Sequence, residues 1–522
     1  MKYLLILSFL FVFELGFSQA IQHVVIDNSG DPDEPSVIID PKNIQNIVAG
    51  ANIDQQYYSH DGGITWNENV ISSTYGVWGD PVLAVDTNSK FLFLHLSDPS
   101  HQNWGSPNFL DRIIIQSSSN DGVSFQNGNY FGRDSTKIQD KPWIAIDPQT
   151  NYYYVTWTQF DSYGTNNPND SSQILFSMST DGGLSWTTAK RINRFAGDCV
   201  DSDGTAEGAV PSVGPNGEVY VVWSTNDVLY FDKSLDHGNT WLGADVEVCP
   251  QIGGWDYPID GLYRANGLPV SACDVSGGLY NGTIYINWSD NRNGDHDVFI
   301  SKSTDGGNTW STPLRVNDDP AGKEQFMSWM TIDQTTGNVY VVFYDRRNYN
   351  DNFTDVYMAV STDGGNTFSN FQISNMSFDP GMLAFIGDYT NVSASHNKII
   401  AVWTSKLNGV KQIEGSVIQF ADAVQELNNL NTTTRNFLIT DAYPNPGKDF
   451  TITFTNQKSE TFDLYIQEIG GKKKYNVFQN KHFEHGNQSQ TFSTAELKMH
   501  KGTYLIVISD GKQFDVKKIV VQ

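Results

Sequence analysis

The sequence predicts an all-β protein, a closed ring of repeated four-stranded sheets followed by a small β-sandwich. Three observations carry that prediction. A turn motif recurs six times between residues 59 and 368. Strand-like segments of alternating apolar residues precede each copy. The composition, with 45 Gly and 13% aromatic residues in 522, lacks the Ala/Leu/Glu/Lys runs of helical bundles. A hydrophobic content of 39% is ample for a core. With 33 Lys plus Arg against 59 Asp plus Glu, the net charge of −26 argues against a nucleic-acid binder working through a basic face.

The amino terminus comes first. Met1-Lys2-Tyr3 leads into an apolar run, Leu4 to Phe17, broken only by Ser8, Glu14 and Gly16, with Ser18 at its exit. A basic start, a short apolar core and a small exit residue describe a secretory signal peptide over 1–18. The run is shorter than the roughly 20 residues a membrane span needs. No cysteine precedes Cys199, which speaks against a lipid-anchored terminus.

Residues 19–420 hold the repeats. The turns are Ser59-His-Asp-Gly-Gly-Ile-Thr-Trp66, Ser119-Asn-Asp-Gly-Val-Ser-Phe125 (one residue short) and Ser179-Thr-Asp-Gly-Gly-Leu-Ser-Trp186. They continue with Ser234-Leu-Asp-His-Gly-Asn-Thr-Trp241, Ser303-Thr-Asp-Gly-Gly-Asn-Thr-Trp310 and Ser361-Thr-Asp-Gly-Gly-Asn-Thr-Phe368. The Asp can accept turn amides, Gly supplies positive φ, and the aromatic packs under the hairpin. Before each turn lies an inner strand such as Asp80-Pro-Val-Leu-Ala-Val-Asp86 or Lys141-Pro-Trp-Ile-Ala-Ile-Asp147. A second strand follows it, such as Val219-Tyr-Val-Val-Trp223. A seventh copy runs from Asp388 to Phe420 and stops before its turn and fourth strand. Gln22-His-Val-Val-Ile26 is a strand without a unit of its own, and pairing it with the seventh copy would close the ring and remove free edges. Seven units follow, the alternative being six with the last as a partial lid.

Residues 421–440 are polar and Asn/Thr-rich, a linker. The tail, 441–522, holds 11 Lys against 9 acidic residues, which leaves 22 basic and 50 acidic residues before it. The acidity therefore belongs to the repeats. The alternating segments Phe450–Phe454, Phe462–Ile466, Tyr504–Ile508 and Phe514–Val521 make the tail a small β-sandwich.

Two resemblances attach to these motifs. The six turns resemble the Asp-box, or BNR, repeats of sialidase-type β-propellers. That likeness implies turns joining the third and fourth strands of each blade, on the face away from the ligand, so their aspartates are scaffold. Sialidases have six blades, one fewer than the count above. Ala442-Tyr443-Pro444-Asn445-Pro446, Lys501-Gly502-Thr503-Tyr504 and Lys517-Lys518-Ile519-Val520-Val521 resemble the C-terminal sorting domain of type IX secretion cargo in Bacteroidota. That second likeness implies recognition by the secretion machinery and a secreted or cell-surface product.

In a propeller, the starts of the inner strands and the loops after the second strands share one face, where function concentrates. Glu34, Asp80, Asp140, Glu207 and Asp388 occupy the inner-strand starts. Asp98, Asp161, Asp290 with Arg292, Asp345 with Arg346 and Arg347, and Lys406 follow second strands. Guanidinium groups there would suit either an anionic ligand or internal ion pairs. The long insertions 195–209 and 246–268 carry Cys199 and Cys249, positioned for a disulfide in an exported protein, while Cys273 reads as a buried thiol. Asp201, Asp203 and Glu207 are spaced like part of a calcium loop, the one cofactor suggested and a structural one. Trp255, Tyr263 and Arg264 form an aromatic-plus-Arg set suited to a sugar acid. No zinc-protease, nucleophile-elbow or phosphate-loop motif occurs.

Sialidases hold the substrate carboxylate with three arginines and use a Tyr nucleophile backed by Glu, with an Asp acid/base. Here the family's Phe-Arg-Ile-Pro segment is absent, and Arg112 in Leu110-Asp-Arg-Ile113 lacks the Pro. Placed by geometry, Tyr389 or Tyr263 would be the nucleophile, Glu207 its partner and Asp80 the acid, with Arg264, Arg292, Arg346 and Arg347 binding substrate. The expected function is a secreted glycan-active propeller, an exo-acting glycoside hydrolase. The alternative is a non-catalytic propeller binding glycans or proteins. A polysaccharide lyase using Tyr389 or His95 ranks behind both.

Overall fold

The computed structural model describes residues 19–106, 108–420, 437–445, 447–468, 474–510 and 514–521. The expected signal peptide, 1–18, lies outside them. The chain divides into two compact units, Ile21–Ile418 and a second one that comprises Met1–Ala20 and Gln419–Gln522.

The first unit is a β-propeller with seven four-stranded sheets. Their inner strands are Asp33–Ile39, Val82–Val85, Ile138–Ile146, Glu207–Val213, Val270–Cys273, Gln325–Asp333 and Asn391–Ser395, blades one to seven. Each inner strand packs on the next around the ring. The second strands are buried along nearly their whole length, as Phe91–Leu96 and Val219–Thr225 illustrate. Sandwiched between neighbouring sheets, they have no solvent face and so carry continuous apolar runs.

The seventh sheet is composite, with Gln19–Asp27 outermost, then Val410–Phe420, Lys398–Leu407 and Asn391–Ser395. Val24 and Ile26 are buried, and His23 Nε2 lies 3.0 Å from Glu414. The Val37 and Ile39 amides of blade one donate to Asn391 and Ser393 of blade seven, at 3.2 and 3.1 Å.

The six turns join third to fourth strands and share one bonding scheme. In the first, Ser59 Oγ donates to Asp61, and the Ile64 and Thr65 amides with the Thr65 hydroxyl also donate to it, at 2.6–3.0 Å. The second turn corrects the sequence reading. Ser118, not Ser119, opens it, and Asn120 takes the acceptor role, receiving Ser118 Oγ at 2.8 Å and the Ser124 amide at 3.1 Å. The turn is therefore full length, and Asp121 sits at φ +57° where the first turn has Gly62.

Each turn is also gripped by the preceding blade. Lys90, Lys233, Lys302 and Lys398 donate to the carbonyls of Gly182, Gly306, Gly364 and Gly62. Gln56 donates to the Gly122 carbonyl, and the Tyr154 hydroxyl meets His237. Blades six and seven, whose junction has no such turn, are joined by the Asn397 amide on Asp333 and by Ser416 Oγ on the Ile373 carbonyl.

The carboxy-terminal unit is a sandwich. A three-stranded sheet (Phe437–Tyr443, Asp449–Asn456, Gly486–Ser493) faces a four-stranded one (Lys474–Phe483, Glu460–Glu468, Gly502–Ser509, Phe514–Val521) across a shared apolar core. Its first strand begins at Phe437, so residues 437–440 belong to the sandwich rather than to the linker. Among the described residues no helix is long and apolar enough to cross a membrane.

Candidate functional site

A repeated backbone device builds the site. In blades one, three, four and six the register between the first two strands shifts at the start of the inner strand, over Asp33/Ser36, Asp140/Trp143, Glu207/Val210 and Phe326/Trp329. A residue within each shift has left-handed φ: Glu34, Lys141, Gly208 and Met327. Asp80 of blade two shares that conformation, at φ +52°. Such a bulge re-aims its side chain, and Glu34, Asp80 and Lys141 all line one cleft. Three of these residues precede proline, in Glu34-Pro35, Asp80-Pro81 and Lys141-Pro142.

The result is an open cleft of about 620 Å³. Its lining includes seven carboxyl groups (Asp31, Asp33, Glu34, Asp54, Asp80, Asp140, Asp388) and three cations (Lys141, Arg264, Lys411). All three cations are already paired. Lys141 Nζ lies 2.9 Å from Asp388 and 3.9 Å from Glu207. Arg264 donates to Asp388 through Nε at 2.6 Å and also through Nη2, and to Asp201 at 2.9 Å. Lys411 lies 2.6 Å from Asp33.

These surroundings drive the carboxyls apart. Burial, then the adjacent Asp140 carboxylate to which it is hydrogen-bonded, pushes Asp80 up to about 7. Burial works against ionisation of Asp388 too, yet Lys141 and Arg264 outweigh it and hold that group well below the carboxylate range. Burial and then the Asp80 and Asp388 charges raise Glu34, whose Oε2 accepts from Asn52 at 2.5 Å and whose Oε1 accepts the Asp388 amide at 2.9 Å. The cleft thus pairs a carboxylic acid with a carboxylate, the arrangement general acid chemistry requires.

Several expected site residues lie elsewhere. Tyr389 is buried, edge-on to Trp143 and tilted against Trp329, and its hydroxyl is 3.5 Å from the Pro81 carbonyl. Burial, then the Glu34 and Asp80 charges, raise its hydroxyl well above the usual phenol range, which works against the ionised form a nucleophile needs. Glu207 is 0% exposed and sealed behind Lys141 rather than lining the cleft. His95 is fully buried, its Nδ1 2.7 Å from the Leu96 carbonyl. Arg292 pairs with Asp290 and the Pro250 carbonyl, over Phe299. Arg346 bonds Thr354 and the Asp260 carbonyl, and Arg347 bonds Asp345 and Asp318. These three arginines are loop buttresses, held by the neighbouring carboxylates and carbonyls. Trp255 is buried with Nε1 on the Thr205 carbonyl, while Tyr263 is exposed and outside the lining. Of the residues expected to act on or bind substrate, Asp80 and Arg264 line the cleft, together with the expected inner-strand acids Glu34, Asp140 and Asp388.

Cys199 and Cys249 are both free. Cys199 folds back on blade three, bridging Thr165, whereas Cys249 sits on the fourth strand of blade four, opposite Leu229. The suggested calcium ligands also diverge. Asp201 receives Tyr163 and Arg264, Asp203 receives the Asp256 amide, and among the described residues no three His, Cys, Asp or Glu side chains group as a metal site.

The sequence reading missed Lys141, Asn52, Tyr163, Trp104 and Lys411, all of which line the cleft. The shared residue-plus-Pro step could have aligned Lys141 with Glu34 and Asp80. The others lie on loops or strand ends without a repeating signature.

Residues 441–522 match the secretion system C-terminal sorting domain. The protein is a secreted or cell-surface one. Its sorting domain addresses it to the type IX secretion machinery. No curated protein sequence matches the chain. Solved structures similar to it include Hadza microbial sialidase Hz136, at 15% identity over 71% of this chain and 72% of that one, with a TM-score of 0.40. The α-L-arabinofuranosidase Arb93A from Fusarium graminearum has 12% identity over 77% and 98%, at 0.42. An ulvan lyase of polysaccharide lyase family PL25 has 12% identity over 75% and 95%, at 0.45.

Proposed function

We propose that the cleft hydrolyses glycosidic bonds of a sugar that carries no acidic group. One observation supports this reading above the rest: Asp80 and Asp388 line one cleft with proton affinities displaced in opposite directions. Asp80, protonated up to about pH 7, gives its proton to the departing glycosidic oxygen. Asp388, kept ionised by Lys141 and Arg264, stabilises the positive charge that develops on the ring, and water then adds to the anomeric carbon and gives a proton back to the Asp80 carboxylate. An acidic sugar is disfavoured, because the lining carboxyls outnumber the cations and every cation is spent internally. The sialic-acid and lyase readings therefore rank behind a neutral glycan.

Incubating the purified protein with arabinan, xylan, galactomannan, sialyllactose and polygalacturonate, and measuring reducing ends, tests the proposal. Release from a neutral polysaccharide, lost in Asp80→Asn, is expected. Release from sialyllactose or polygalacturonate alone would sink it. Binding of a neutral polysaccharide without release would instead favour a non-catalytic propeller.

A further inference from the structure

One wall of the cleft does work that the acid pair does not explain. Residues 97–106 and 108–112 lie between the second and third strands of blade two and include a one-turn 3-10 segment, Asn103–Gly105. The base of this loop is fixed by the Leu110 amide on the Ser97 carbonyl and by the Asn103 amide on Asp98, 3.1 Å away. His101, Asn103 and Leu110 all take left-handed φ without being glycine. Backbone of that kind persists only where the surroundings over-determine it, and it concentrates at ligand clamps.

What the loop holds up is Trp104. Phe109 packs edge-on against it, centroids 4.8 Å apart, and Trp78 packs edge-on against Phe109 at the same distance. Tyr163 of the blade-three loop stacks on Trp104 at 5.6 Å and 28°, and is itself fixed by Phe160 and by its bond to Asp201. Trp104, Trp78 and Tyr163 all line the cleft. Yet the indole, buttressed on these sides, stays 60% exposed. An aromatic plane held rigid, half-wet and at the lip of a polar cleft is suited to the apolar C–H face of a sugar ring, whose hydroxyls then point to water.

We propose that Trp104 is a second sugar position, stacking the ring that flanks the one held at Asp80 and Asp388, so that the ligand is a neutral oligosaccharide or polysaccharide rather than a single sugar. This rests on the hydrolase reading for the neutrality of the glycan, but not for its cleavage.

Affinity electrophoresis of the full chain through gels containing arabinan, xylan or galactomannan tests it. The Asp80→Asn protein serves as parent, so that no polymer is cut during the run. Retardation by at least one polymer is expected, with affinity about tenfold weaker in Trp104→Ala and largely kept in Trp104→Phe. The melting temperature should stay unchanged, since the removed surface is mostly exposed. If Trp104→Ala is retarded like its parent by every polymer that retards the parent, the second position is wrong while the glycan reading stands. If none of the three polymers retards the parent, the neutral-glycan reading itself fails and this inference with it.

Discussion

Asp80 and Asp388 make the pH dependence of any hydrolysis predictable in sign. The proton that Asp80 donates is lost as pH rises through about 7, so kcat/KM should fall above that value. Asp388, held down by Lys141 and Arg264 against its burial, stays ionised throughout that range. The optimum therefore lies below 7, and Asp80→Asn should cost at least about 100-fold and remove the basic limb. A flat profile through pH 8 would contradict the assignment. The turn aspartates carry a second prediction. Hydrogen bonds from the Ser185 hydroxyl and amide lower Asp181 to about 2, and Asp236 is lowered to about 2 by its bonds from Thr240. A carboxylate lowered by folding stabilises above its unfolded value near 4, and that contribution is lost as pH falls toward 2. Acid unfolding in that window is expected by circular dichroism. Asp181→Ala should lower the melting temperature at pH 7, whereas Asp181→Asn should keep most of it, because Asn120 already fills that role in the second turn.

At the scale of elements, closure through the first strand is testable. Ile26 is 8% exposed in the composite sheet, and Ile26→Ala should cost about 2–5 kcal/mol in chemical denaturation. A cost below about 1 kcal/mol would mean the strand is not part of the core. The inner and second strands and the turns were legible in the sequence because each repeats, and the first strand because its apolar residues had no unit of their own to pair with. The site was legible only in part. Glu34, Asp80, Asp140 and Asp388 stood out by position, but Lys141 was hidden inside a strand pattern, since a bulge cannot be read from alternation alone. Arg292, Arg346 and Arg347 drew attention because they follow second strands, yet Asp290, Thr354 and Asp345 bind them locally. Sequence spacing gives no sign of which partner wins. The tail strands Lys474–Phe483 and Gly486–Ser493 escaped for a related reason: their exposed faces are too polar to show an alternation.

For the whole molecule, the charge is divided, with net −28 over 1–440 and +2 over 441–522, from 22 against 50 and 11 against 9 charged residues. The sorting domain has its own apolar core. Removing 437–522 should leave a folded propeller that cell fractionation finds in the periplasm instead of outside the cell. Appearance of the truncated protein at the surface would count against the tail as the address. The grips between successive blades have a consequence for how the propeller comes apart. An open array of repeats frays from its two ends, one unit at a time, because its terminal units have a single neighbour. Here every blade, the first and the last included, has a neighbour on both sides, so no unit is weaker by position. Melting should be all-or-none, with amide exchange in the second strands of all seven blades limited by one common opening.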